Sequence, residues 1–195
     1  KPALPGGAGF SLFLNRRPQP RPLKAAGGSK NDREGFYSWS GLRYFLYEYE
    51  LYLQDNANMK VSWEDFNKRK KEDTIEHIYP QSPNDIYWKN RFGHLKPSEK
   101  RQYLNSLGNL LLLNRSKNSK LQNYDFDKKK CLLNKDGKEI GYYNGSYSEI
   151  EVSKHKEWTP DEIKKRGLLM LQFMEERWKF SFDNWNISKE DILFP

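Results

Sequence analysis

The chain of 195 residues is long enough for one domain with its own hydrophobic core, and because 36% of the residues are apolar and 15% aromatic, much of that core must be aromatic. Its formal charge of +8 favours a polyanionic partner such as nucleic acid, and no apolar run approaches the ~18 residues that a membrane-spanning helix needs. The single cysteine, Cys131, excludes an internal disulfide framework and a four-cysteine zinc site, and it favours a reducing cytoplasm.

Residues 1–35 are predicted to form a linker or an extended arm. Five of the ten prolines lie there, together with several glycines and arginines. The run Gly27-Gly28-Ser29-Lys30 lacks the full spacing of a phosphate-binding loop, so we assign it to the linker. The domain itself is expected to span residues 36–195.

Three helices are predicted outside the centre of the chain. Apolar residues recur at helical spacing over residues 37–54, and Ser62 begins a capping-box pattern for a second, shorter helix. Thr159-Pro160 followed by two acidic residues predicts a closing helix at about 160–179. Turn signals at 134–137 and 144–145 predict short hairpin strands between them.

The catalytic core is predicted to lie within residues 73–133, as a strand–strand–helix unit. The first strand is expected at Asp73–Tyr79 and the second, buried on both faces, at Gly108–Asn114. A short helix near Ser98–Leu104 separates them, and a basic helix from Ser116 to about Leu133 follows. The predicted fold class is therefore α+β, mainly helical with short strands.

The chemistry of this unit centres on His77, which lies beside Glu76. A histidine can take a proton from water while oxygen ligands hold a hard divalent cation on a phosphate, so the pair favours phosphodiester hydrolysis. Neighbouring residues of a regular strand face opposite sides, so a site that uses both needs a strand end or a bulge, which Pro80 makes plausible. Asn109 could hydrogen-bond the imidazole and fix its tautomer. The alternative is that His77 packs structurally and that Asn109 and Asn118 are turn and cap residues.

Together these residues form a pattern that resembles the HNH (ββα-metal) nuclease motif. The block Glu76-His77-Ile78-Tyr79-Pro80-Gln81-Ser82 is followed by Asn109 and, nine residues later, Asn118. More narrowly, E-H-I-x-P-Q, L-G-N-L-x-L-L and N-S-K are similar to the C-terminal nuclease domain of GmrSD-type modification-dependent restriction endonucleases. The similarity covers roughly residues 36–180.

The resemblance implies a ββα-metal core surrounded by helices, with a role for each matching residue. His77 would be the general base on water, and Asn109 would orient His77 or the β-hairpin. Asn118 would bind the metal through its amide oxygen, and Glu76 stands where many HNH enzymes have a metal-binding aspartate. The metal would be Mg²⁺ or Mn²⁺. The ordinary histidine pKa then predicts activity that rises as the pH passes about 6.5.

The resemblance also implies partners: double-stranded DNA, and an N-terminal nucleotide-hydrolysing domain in the same or a partner chain, in a restriction system that defends against phage. From charge alone, Lys117, Lys120 and Arg115 are candidates for phosphate contacts. A catalytically inert DNA-binding module would also explain the positive charge, but it would not use His77. A zinc hydrolase would need an H-E-x-x-H sequence, which the chain lacks.

Overall fold

A computed structural model of the chain describes residues 35–54, 62–68 and 72–195, without the side chain of Trp63. The predicted arm, apart from Gly35, lies outside the described residues. The described part contains nine α-helices, four single 3₁₀ turns and two strands. In chain order the helices and strands are α1 (Leu42–Gln54), α2 (Trp63–Lys68), β1 (Asp73–His77), α3 (Ile86–Phe92), α4 (Pro97–Asn105), β2 (Leu110–Asn114), α5 (Arg115–Leu121), α6 (Phe126–Cys131), α7 (Tyr147–Ser153), α8 (Pro160–Trp178) and α9 (Lys189–Leu193).

The two strands form an antiparallel hairpin, and a helix follows it directly. Asp73 pairs with Asn114 and His77 with Leu110. Helix α5 starts at the next residue, because the Asn114 side chain accepts a hydrogen bond from the backbone N–H of Ser116, and the helix then packs against both strands. Both predicted strands and the helix near Ser98–Leu104 are observed, and the fold is mainly helical with one two-stranded sheet. The strands are shorter than predicted: β1 ends at His77, and β2 starts at Leu110 after a 3₁₀ turn at Leu107–Asn109.

Strand β2 divides two hydrophobic cores, as its uninterrupted apolar sequence predicts. Leu110 and Leu112 contact a core built mainly from α1 and α8, whereas Leu111 and Leu113 belong to a second core around the fully buried Trp88 and Trp158. Successive residues of a strand face opposite sides, so a strand buried on both faces is apolar at every position.

The hairpin is fastened to the closing helix α8, which is observed where it was predicted. Gly108 lies so close to that helix that a Cβ atom on it would be 2.0 Å from the carbonyl oxygen of Ile163, so only glycine fits. The buried guanidinium of Arg166 in α8 donates to the carbonyl oxygens of Gly108 and Leu110, at 2.9 and 3.0 Å. None of the described helices is both long and apolar enough to cross a membrane.

Three element predictions need correction. Residues 37–54 do not form one helix: Gly35–Ser38 is a 3₁₀ turn in which the Ser38 hydroxyl donates to the Gly35 carbonyl, and α1 starts only at Leu42. The helix predicted from Ser116 to about Leu133 is two helices, because Gln122 takes a positive φ of 45° and Asp125 caps a new start.

The hairpin strands predicted near the tyrosines are also wrong, apart from one isolated bridge between Leu133 and Glu139. Tyr142–Asn144 is a 3₁₀ turn, and the Tyr142 ring is completely buried. Gly141 approaches the backbone of Lys130 so closely that a Cβ atom would be 2.1 Å from its carbonyl oxygen. This close contact holds Gly141 against the backbone of α6, directly before the 3₁₀ turn.

Candidate active site

His77 is the last residue of β1, and its ring is held between two side chains from other elements. The Tyr37 ring lies over it, with centroids 4.5 Å apart and planes inclined by 48°. The second side chain is Asn105, the last residue of α4, whose Oδ1 lies 3.3 Å from Nε2 of His77. Only 6% of His77 is exposed. Neither Tyr37 nor Asn105 was predicted to belong to the site.

The surroundings of His77 keep its ring neutral. Burial lowers the pKa of His77 to about 4, the hydrogen bond with Asn105 opposes this change, and the ammonium group of Lys129 adds to it. A lower pKa means that the ring carries no charge at neutral pH, and only a neutral ring can accept a proton. His77 is therefore in the protonation state that a general base requires.

Asn109 contacts the hairpin backbone. Its Oδ1 accepts hydrogen bonds from the backbone N–H of Tyr79 at 2.7 Å and from Nε1 of Trp158 at 3.1 Å. Its Nδ2 donates to the carbonyl oxygens of Tyr79 and Leu104, at 3.0 and 2.9 Å. Asn109 was predicted to orient either the His77 imidazole or the β-hairpin. Its hydrogen bonds are to the hairpin backbone, and among the described residues it makes none to the imidazole. It ties the chain after β1 to α4 and to Trp158.

Glu76 is buried beside a completely buried lysine. Its Oε1 accepts hydrogen bonds from Nζ of Lys129 at 2.6 Å and from the Tyr142 hydroxyl at 3.3 Å. Burial, followed by the charge of Glu76, raises the pKa of Tyr142 well above its usual value, so the hydroxyl stays protonated and donates. The same Lys129 ammonium donates to the carbonyl oxygens of His77 and Ile78, at 3.2 and 3.1 Å. The described residues make no hydrogen bond to Oε2 of Glu76.

A polar cleft of about 260 Å³ lies beside β1 and brings several of the predicted residues together. Glu76, His77 and Asn118 line it, together with Tyr37, Thr74, Ile75, Pro80, Gln81, Gln122 and Asn123. No group of three or more histidine, cysteine or acidic side chains among the described residues could enclose a metal ion. Glu76 and Asn118 both line this cleft, however, and a carboxylate with an amide is a donor set that suits Mg²⁺, which is often held by few protein groups and several waters.

The three predicted phosphate-contacting residues differ in their surroundings. Lys117 forms an ion pair with the buried Glu149 and donates to the carbonyl oxygen of Asn144 at 3.3 Å, and only 14% of its side chain is exposed. The predicted phosphate contact of Lys117 would therefore have to compete with this internal ion pair. Arg115 and Lys120 are exposed on the same helix, α5.

The fold and the cleft define a small α+β domain in which a neutral histidine and oxygen donors meet beside a β-hairpin. The sequence matches a protein family described as GmrSD restriction endonucleases, C-terminal domain, over residues 23–173. Since this is more than half of the chain, the chain belongs to that family and is a nuclease domain of the restriction-endonuclease type. The match begins within the predicted arm. No curated protein and no solved structure matches the sequence.

Proposed function

We propose that this domain is a metal-dependent DNA endonuclease of the HNH (ββα-metal) type, in which His77 is the general base. The observation that carries the proposal is the position of His77: a buried, neutral imidazole lines the same cleft as Glu76 and Asn118. The antiparallel hairpin followed directly by α5 has the order of elements that a ββα core requires.

In this mechanism the protein groups hold and move a proton. His77 accepts it from a water molecule in the cleft, and the hydroxide so produced attacks the phosphorus of the scissile phosphodiester. The P–O bond to the leaving oxygen then breaks, and that oxygen takes a proton from solvent water and departs as an alcohol. The low pKa keeps the ring free to accept this proton at neutral pH. Asn109 fixes the chain that follows β1, so that the ring stays at the edge of the cleft.

Two oxygen atoms are proposed to hold the cation, Oδ1 of Asn118 and Oε2 of Glu76. They fit the hard-ligand preference of Mg²⁺ or Mn²⁺ and leave room for phosphate oxygens and water. When bound, the ion would polarise the phosphate and stabilise the charge that develops on it. Lys129 fixes the carboxylate from the opposite side through Oε1, so that Oε2 is the oxygen left for the cleft.

Double-stranded DNA is the proposed substrate, with Arg115 and Lys120 as phosphate contacts near the cleft. The family name refers to a C-terminal domain, which supports the proposal that an N-terminal nucleotide-hydrolysing domain, in the same or a partner chain, acts with this one. Restriction of phage DNA in the cytoplasm is the proposed setting.

The test is cleavage of plasmid DNA with Mg²⁺, with and without EDTA, by the parent and by His77→Ala. We expect EDTA to abolish cleavage and His77→Ala to lower the rate by ~10² or more, the usual contribution of a general base. The matched control is His94→Ala, which removes an exposed histidine between α3 and α4. Parental cleavage by His77→Ala would refute the mechanism. DNA binding without any EDTA-sensitive cleavage would instead favour the inert binding module.

A further inference from the structure

Asn105 is the hydrogen-bond partner of the His77 imidazole, although no motif in the sequence points to it. It ends α4 and is half-buried, with Oδ1 at 3.3 Å from Nε2 of His77. The amide that the sequence places in this role, Asn109, uses both of its polar atoms on backbone groups and on Trp158. Of the two roles predicted for Asn109, its hydrogen bonds are those of the hairpin role, and the amide beside the imidazole is Asn105.

We infer that Asn105 fixes the tautomer of His77, with the hydrogen on Nε2 and the lone pair on Nδ1. An amide oxygen can only accept a hydrogen bond, so the ring nitrogen that faces it must carry the hydrogen. Among the described residues Nδ1 has no hydrogen-bond partner, and His77 lines the cleft, so in this proposal its lone pair accepts from a water molecule there. The inference rests on the proposed function, because the tautomer matters for cleavage only if His77 is the base.

The same hydrogen bond also selects the orientation of the ring. A half-turn about the Cβ–Cγ bond would place a carbon atom where Nε2 now lies, and the hydrogen bond with Asn105 would be lost. The Tyr37 ring packs against the imidazole at an inclination of 48° and, within the described residues, makes no hydrogen bond to either ring nitrogen, so it does not select one orientation. Asn105 is thus a positioning residue: it acts on the reaction through His77 and contacts no reacting atom.

The experiment reads the tautomer directly, by ¹⁵N NMR of the metal-free full chain at neutral pH, with the His77 signals assigned by their loss in His77→Ala. In the parent we expect a pyrrole-like signal for Nε2 and a pyridine-like signal for Nδ1. Asn105→Leu keeps the approximate size but removes the acceptor, and should give an averaged pair of signals. Asn105→Asp keeps an acceptor and should preserve the parental pattern. Gln102→Leu is the control, since Gln102 lies in the same helix but bonds to Pro195.

Cleavage kinetics give the second readout. Asn105→Leu should lower kcat about tenfold with KM for DNA unchanged, about the effect of one lost hydrogen bond. A pyrrole-like Nδ1 in the parent would overturn the inference, and so would unchanged signals in Asn105→Leu. If that variant does not fold, Asn105→Ala, which also removes the acceptor, supplies the comparison. Failure of the proposed function is a separate result, namely full cleavage by His77→Ala whatever the tautomer.

Discussion

The low pKa of His77 predicts a specific dependence of stability on pH. The ring is buried in the folded chain with a pKa of about 4, and exposed in the unfolded chain with a pKa near 6.5. Between these values the unfolded state binds more protons, so the free energy of unfolding rises with pH. The stabilisation is fully present above pH 6.5 and is lost as the pH falls through this window.

The magnitude follows from the two pKa values. A tenfold difference in proton affinity between the folded and unfolded states corresponds to about 1.4 kcal/mol, so pKa values of 6.5 and about 4 correspond to roughly 3 kcal/mol over the whole window. At pH 5 the folded ring is still mostly neutral and the unfolded ring mostly charged, and the loss from this residue is about 2 kcal/mol.

The assay is urea unfolding of the parent and of His77→Gln at pH 7.5 and pH 5.0. Glutamine does not titrate, and all other titrating groups contribute to both proteins, so they cancel in the difference. We expect the parent to lose about 2 kcal/mol more than His77→Gln on acidification. Equal losses would refute the reasoning, because they would place the folded pKa of His77 near its ordinary value. The same lowered pKa moves the acidic limb of the cleavage profile from the 6.5 expected from sequence down towards 4.

Three other changes give distinct results. Lys129→Met leaves the Glu76 carboxylate buried without its cation and should destabilise the fold by ~3–5 kcal/mol in urea unfolding, with part of the loss recovered when Glu76→Gln is added. Lys120→Ala should reduce the slope of log affinity against log salt by about one in DNA-binding titrations, whereas Lys117→Ala should leave the slope unchanged and lower stability, because Lys117 is paired internally. Asn118→Ala should raise the Mg²⁺ concentration for half-maximal cleavage, and coincident metal titrations would remove it from the site.

The elements of the central unit could be predicted because their residues carry strong local signals. Leu110–Leu113 is apolar at every position, which indicates a strand buried on both faces. In the structure this strand lies between the two hydrophobic cores. Thr159-Pro160 marks the start of α8 through the fixed backbone angle of proline. These signals depend on a few neighbouring residues, so they can be recognised from the sequence without knowledge of the tertiary structure.

The surroundings of the histidine could not be predicted in this way. Tyr37 and Asn105 reach His77 from two distant segments, and no local pattern relates them to it. Lys129 lies in a basic run that ordinarily indicates a solvated helix face, yet it is fully buried. It lies in α6, which a break at Gln122 separates from α5, and the sequence does not signal that break with a glycine.

The adjacency of Glu76 and His77 posed a geometric difficulty, because alternate residues of a strand face opposite sides. The cleft resolves it by its position along β1, where the consecutive residues 74–77 all line it. The cleft is therefore reached from residues of both faces of β1, together with Asn118, Gln122 and Asn123 from the segment that follows β2. The ammonium group of Lys129 donates hydrogen bonds both to the Glu76 carboxylate and to the carbonyl oxygens of His77 and Ile78. One buried cation thus ties the proposed metal ligand and the backbone of the proposed base to each other, which is why a change at Lys129 should affect both together.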